Sequence, residues 1–241
     1  MKVIYEDNHL IIVNKAPGEI VQGDRTGDKP LSEMLKEYVK TKYDKPGEVF
    51  LGVIHRLDRP VSGLVVFART SKALARMNTL ISSREVKKTY WAIVKGVPPE
   101  NHGHLIDYLW KNETQNKSYI VPETRKGALR AELEYNLLAK GKDYSLLEVN
   151  LMTGRHHQIR VQLAAIGCII KGDLKYGSQR SNPDGSIHLH ARKIEFSHPI
   201  KQTPMVIYAL PPKERMWLIF KDLWEQDPTD LSSTPTVKPE K

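Results

Sequence analysis

Between Gly52 and Ala68 the chain reads GVIHRLDRPVSGLVVFA, in which two apolar runs enclose a compact charged cluster, His55-Arg56-Leu57-Asp58-Arg59. Val53-Ile54 on one side and Leu64-Val65-Val66-Phe67 on the other are β-branched or aromatic enough to be buried strands, and Pro60 with Ser62-Gly63 makes the connector a turn. The fold must therefore hold a charged turn against two core strands. One carboxylate sits between two arginines on that turn. Neighbouring guanidiniums favour its ionised form, so Asp58 is expected to act as a nucleophile or as an orienting charge. A structural ion pair is the alternative reading.

Hydrophobic periodicity elsewhere predicts a strand-rich chain with a few helices. Short strands are expected at residues 2–5 and 10–13, followed by a loop at Asn14-Lys15-Ala16-Pro17-Gly18. Leu31, Leu35, Tyr38 and Val39 recur at helical spacing over residues 31–43. Thr70 is a candidate N-cap for a helix with Leu74, Met77 and Ile81 on one face. Strands are predicted at 89–94, 104–109, 117–121, 128–138, 144–151, 187–196 and 205–208, with helices at 156–166 and 213–224. This order lacks βαβ alternation, so a doubly wound parallel sheet is not expected. Hairpin-rich strands with helices between groups predict an α+β fold on antiparallel sheet. After Asp227 the composition turns to Pro, Thr, Ser and Lys, which predicts a disordered tail over 227–241.

A chain of 241 residues with a net charge of +9 suits a polyanionic partner. Arg84, Lys87 and Lys88 lead into Tyr90 and Trp91, a basic stretch with aromatic neighbours as on RNA-binding surfaces, though Trp91 also suits a core strand. No apolar run approaches the roughly 18 residues of a membrane span, and no signal-peptide pattern is present. Cys168 is the single cysteine, which excludes an intrachain disulfide and a four-cysteine zinc site. A cytoplasmic, monomeric protein without a membrane partner is expected.

Three stretches in order resemble the RluA-type pseudouridine synthases. His55-Arg56-Leu57-Asp58-Arg59-Pro60-Val61-Ser62-Gly63-Leu64 is similar to their H-R-L-D-x-x-T-S-G-L signature. Lys88-Thr89-Tyr90-Trp91-Ala92-Ile93-Val94-Lys95-Gly96 resembles their K-x-Y-x-A-x-V-x-G strand. Thr153-Gly154-Arg155-His156-His157-Gln158-Ile159-Arg160 resembles their T-G-R-x-H-Q-I-R element, and Lys171–Gly177 matches the family's next segment. The similarity covers about residues 3 to 220. It implies a mixed, mainly antiparallel sheet with flanking helices and a central catalytic cleft over residues 1–226, without the small N-terminal S4-type RNA-binding domain of many relatives.

The resemblance also implies a reaction: cleavage of a uracil glycosidic bond, rotation of the base, and rejoining through carbon five, with no cofactor and with ribosomal or transfer RNA as partner. Asp58 would be the catalytic carboxylate, attacking sugar or base or taking a ribose proton. Arg160 would be its basic partner, holding it in a bidentate pair. Tyr90 would stack on the uracil and help remove the carbon-five proton. Arg56 would enter the helix stack as the base flips, and His55, Arg59, Lys88, Arg155 and Gln158 would contact RNA. Two positions depart from the pattern: Val61 replaces threonine, and Gln162 stands where many relatives have histidine. The pairs His188/His190 and His156/His157 lack acidic or cysteine ligands at metal spacing, so no metal site is expected. A non-catalytic RNA-binding factor and a hydrolase using Asp58 are the competing classes.

Overall fold

The structure, a computed structural model, describes residues 2–24 and 26–225; the tail expected over 227–241 lies outside the described residues. The strands in chain order are β1 (Lys2–Glu6), β2 (Leu10–Lys15), β3 (Gly52–Val53), β4 (Ser62–Ala68), β5 (Lys87–Lys95), β6 (His102–Asn112), β7 (Lys117–Ile120), β8 (Leu129–Lys140), β9 (Tyr144–Leu151), β10 (Leu189–Ser197) and β11 (Pro204–Tyr208). They form one sheet ordered β1-β2-β4-β10-β5-β9-β8-β6-β7, with β3 added to β4 and β11 to β10. β4 and β10 pair in parallel, whereas their other partners run antiparallel. The fold is α+β on a mixed sheet.

Burial explains the sequence pattern. All seven residues of β4 are buried, which is why this strand reads as an unbroken apolar run rather than an alternation. β8 instead alternates, with Ala131, Leu133 and Tyr135 turned into the protein. Helix α1 (Leu31–Lys42) buries Leu31, Leu35 and Val39, and α2 (Ser71–Ser82) buries Ala73 and Met77. The Thr70 hydroxyl accepts a bond from Ala73 N at 3.2 Å and caps α2, a contact worth about 1 kcal/mol. Helices α3 (Gln158–Ala165), α4 (Arg215–Leu218) and α5 (Lys221–Glu225) complete the fold. Trp217 and Phe220 pack on Trp91, Ile93 and Leu146 in a small second core. No helix among the described residues is long and apolar enough to cross a membrane.

Four local expectations change. Asn14 and Lys15 extend β2 instead of starting a loop, because Lys15 is buried and bonded to the chain beyond it. The helix predicted from residue 156 begins at Gln158, since His157 is held at φ 53° by contacts of its side chain. The closing helix is two short ones, interrupted at Ile219-Phe220 where Phe220 turns into the second core. A 3₁₀ turn at Leu174–Tyr176 was not expected, and it carries part of the site.

Candidate active site

Asp58 sits on the turn that enters β4, and the carbonyls of residues 58–61 each accept a hydrogen bond. Val61 N donates to Asp58 O at 3.0 Å, Gly18 N to Arg59 O at 2.9 Å, and Ile187 N to Pro60 O at 3.1 Å. Lys15, only 1 % exposed, donates its ammonium to the carbonyls of Ala16, Arg59 and Val61 at 3.0, 3.0 and 2.6 Å. Burial pushes the Lys15 amine down to about 8. A turn with each carbonyl accounted for has little freedom, so the Asp58 side chain leaves it from a fixed point. Gly63 follows at φ +117°; a Cβ there would lie 2.4 Å from Ala191 O, so only glycine lets β4 approach β10 this closely.

The cation facing Asp58 comes from across the chain. Arg160 Nη1 on α3 donates to Asp58 Oδ2 at 2.9 Å. The bidentate grip goes elsewhere: Nε and Nη2 donate to Asp173 Oδ2 and Oδ1 at 2.7 and 2.8 Å. Asp173 is 1 % exposed and Arg160 5 %. Burial disfavours the guanidinium charge, but Asp173 and Asp58 outweigh it and hold Arg160 above its ordinary range. The chain Asp58–Arg160–Asp173 thus fixes the first carboxylate through the second.

His157 closes the other side. Its Nε2 lies 3.4 Å from Asp58 Oδ2, and its Nδ1 lies 3.0 Å from the Tyr176 hydroxyl. Burial, then the charge of Arg160, pushes the imidazole down to about 2, so it is neutral and the contact is no ion pair. A proton on Nε2 suits the carboxylate and leaves Nδ1 to accept from Tyr176. Tyr176 is anchored by Ser118 N at 2.9 Å. His156 stacks on His157 with ring centroids 3.7 Å apart, and its Nδ1 meets Ser118 Oγ at 2.8 Å.

These groups surround a pocket of about 630 Å³ in which Asp58 is the one carboxylate among the lining residues. Tyr90 on β5 forms a wall and its hydroxyl has no hydrogen bond among the described residues. Burial, and secondarily the charge of Asp58, raises the Tyr90 hydroxyl far above its usual value, so it is a neutral phenol. Arg56, His55, Lys88, Arg155 and Gln158 line the same pocket. Arg56 is exposed and pairs with nothing among the described residues. Lys88 has its ammonium pushed down by burial and no ion pair among the described residues. Arg155 Nε bonds Arg130 O at 3.0 Å, leaving the end of its guanidinium outward.

Three of the residues expected to contact RNA are engaged within the fold. Arg59 is turned away from the pocket, bonding Thr26 Oγ1 at 2.9 Å and pairing with Asp28, because successive side chains on a turn diverge. It therefore neither flanks Asp58 as a charge partner nor offers an RNA contact in the pocket. His55 accepts from Val66 N at 3.2 Å and is pushed down to about 3 by burial, then by Lys88, so it is a neutral brace. Gln158 has its amide engaged with Thr153 Oγ1, Arg155 N and Glu132 O, at 2.7, 3.0 and 3.0 Å, and so shapes the loop beside the pocket.

Lys15, His157, Asp173 and Tyr176 were not assigned roles from sequence. The last three lie within the motif and the segment after it, which was the only signal that could have found them. Of the two departures, Val61 packs in the core while Lys15 holds its carbonyl, and Gln162 donates to Asp107 Oδ2 at 2.7 Å. His188 bonds Asn182 and Glu214, and His190 bonds Ser62 and Ala209 O, so both rings of that pair are engaged.

Comparison with known proteins gives the family and the fold. The RNA pseudouridylate synthase family model matches residues 9–165. The chain is 31 % identical over 233 residues to a ribosomal large subunit pseudouridine synthase D of Zymomonas mobilis, covering 92 % of this chain and 73 % of that one. It is 34 % identical over 228 residues to a tRNA pseudouridine synthase C of Vibrio cholerae, covering 87 % and 90 %. Among solved structures, human RNA pseudouridylate synthase domain containing 4 aligns with a TM-score of 0.75 at 23 % identity, over 91 % of this chain and 92 % of that one. The last supports the fold alone.

Proposed function

The chain belongs to the RNA pseudouridylate synthase family and is an isomerase acting on RNA, and from that premise we propose that it converts particular uridines of a structured RNA to pseudouridine with Asp58 as the catalytic carboxylate. The observation that carries this is the placement of Asp58: a lone carboxylate at a pocket, bonded to an arginine that a second, buried aspartate anchors. Glycosidic cleavage needs one carboxylate beside the anomeric carbon, and Arg160 holds Asp58 by one oxygen and leaves the other uncapped by it. Attack on the sugar, attack on the base and removal of a ribose proton all remain compatible with this placement.

Tyr90 supports the second half of the reaction. Its ring offers a stacking surface for the detached uracil, and its hydroxyl, free of other bonds among the described residues, lies on the pocket wall. Because burial keeps that hydroxyl protonated, it serves as a phenol passing a proton rather than as a standing phenolate base. Arg56, Lys88 and Arg155 supply positive charge at the pocket for the RNA backbone. Relatives named for ribosomal and for transfer RNA make both candidate substrates.

The test is Asp58→Asn assayed for pseudouridine in RNA. Turnover should be abolished while RNA affinity stays within about tenfold, or ~1.4 kcal/mol. Multiple turnover by the pure variant would overturn the assignment. A site-resolved pseudouridine map of RNA from cells with and without the protein identifies the target.

A further inference from the structure

Helix α2 ends on a left-handed residue that is not glycine. Arg84 N donates to Ile81 O at 3.1 Å and Glu85 N to Leu80 O at 2.9 Å, the pair of bonds of a Schellman C-cap. The residue between the cap and that last bond must adopt the left-handed conformation, where glycine is at home. Here it is Arg84, at φ 62°. A side chain with a Cβ is disfavoured in that region, so the arginine is held against local preference.

Nothing inside the fold accounts for it. The Arg84 side chain is exposed and makes no hydrogen bond, ion pair or ring contact among the described residues. The neighbouring Glu85 is bonded to Ser83 instead. Yet Arg84 lines the Asp58 pocket, together with Arg56, Lys88 and Arg155, and the lining carries five cations counting Arg160 against the single carboxylate of Asp58. The left-handed turn carries the chain from α2 into β5, which bears Lys88 and Tyr90.

We propose that Arg84 is a phosphate-binding residue, gripping the RNA backbone beside the nucleotide that enters the Asp58 pocket. The proposal rests on the function given above and names a subsite of it. A guanidinium with all its donors open can take a phosphate bidentately. Its position on a tight helix cap limits how far it can retreat from the pocket rim.

The conformation supplies an unusual test, because Arg84→Gly removes the side chain while suiting the backbone. Its melting temperature should be within about 2 °C of wild type or above it. Binding of bulk transfer RNA should weaken roughly threefold to tenfold, and the slope of log affinity against log potassium chloride should fall by about 0.7–0.9, the value of one phosphate contact. Arg84→Lys should keep most of the slope. Lys72→Ala, at the other end of α2 and outside the pocket, is the net-charge control and should leave the slope unchanged. An unchanged slope in Arg84→Gly, an equal fall in Lys72→Ala, or a lowered melting temperature would each overturn the proposal. If wild-type protein makes no pseudouridine but the Arg84-dependent slope persists, the phosphate contact stands and the catalytic reading falls; turnover with no Arg84 dependence gives the reverse.

Discussion

Replacing Asp173 by asparagine separates the supporting carboxylate from the reacting one. Asp173 is 1 % exposed and accepts two bonds from a guanidinium that is itself 5 % exposed, at 2.7 and 2.8 Å. Removing one partner of such a pair leaves a buried charge and costs about 3–5 kcal/mol; asparagine retains one acceptor, so about 3 kcal/mol is expected. For a domain of this size that lowers the melting temperature by about 6–12 °C. The loss reaches the reaction because Arg160 is held by Asp173 on one edge and holds Asp58 with Nη1. Once released, the guanidinium no longer fixes Asp58, and a displacement near 1 Å costs on the order of a hundredfold in rate. Thermal denaturation and single-turnover release of label from carbon five of uridine measure the two effects. In a double-mutant cycle with Arg160→Met, the second substitution removes the stranded charge, so the double variant should be more stable than the sum of the singles by about 2 kcal/mol. A variant melting within about 1 °C of wild type at full rate, or an additive cycle, would refute the reasoning.

Tyr90→Phe keeps the ring and removes a hydroxyl that burial and Asp58 hold neutral; RNA binding should persist while turnover falls about a hundredfold or more. Tyr90→Ala should weaken binding as well, by about 1–3 kcal/mol, and a Phe variant with wild-type turnover would leave Tyr90 a packing residue. Gly63→Ala puts a Cβ 2.4 Å from Ala191 O at φ +117°, so chemical denaturation should show a loss of about 3 kcal/mol or more; equal stability would contradict the β4–β10 register. Asp7 is raised by burial, but bonds from His9 N, Leu10 N and the Tyr5 hydroxyl, with the nearby His198, outweigh this and hold it at about 2 against an ordinary 3.8. A lowered folded-state value means stability fully present above pH 4 and lost as pH falls towards 2, about 2 kcal/mol in all, and Asp7→Asn should flatten that limb of the stability curve.

Strands and helices were legible because their signal is local. Side chains alternating along β8, the unbroken apolar run of β4 and the Thr70 cap are each set by neighbours within a few residues. Asp58, Tyr90 and Arg160 were legible as motif positions, and they converge on one pocket. Which charge faces which was not. Sequence adjacency put Arg56 and Arg59 beside Asp58, yet Arg56 is exposed at the pocket with no ion pair among the described residues and Arg59 pairs with Asp28. Asp58 is instead met by Arg160, 102 positions later, while Lys15 reaches back from 44 and 46 positions earlier to hold the carbonyls of its turn. Periodicity reports which face of an element is buried, but a buried charge is stable only opposite a particular partner. That partner is chosen by how β2, β4, α3 and the 3₁₀ turn at Leu174–Tyr176 pack together, an arrangement that exists only in the folded chain.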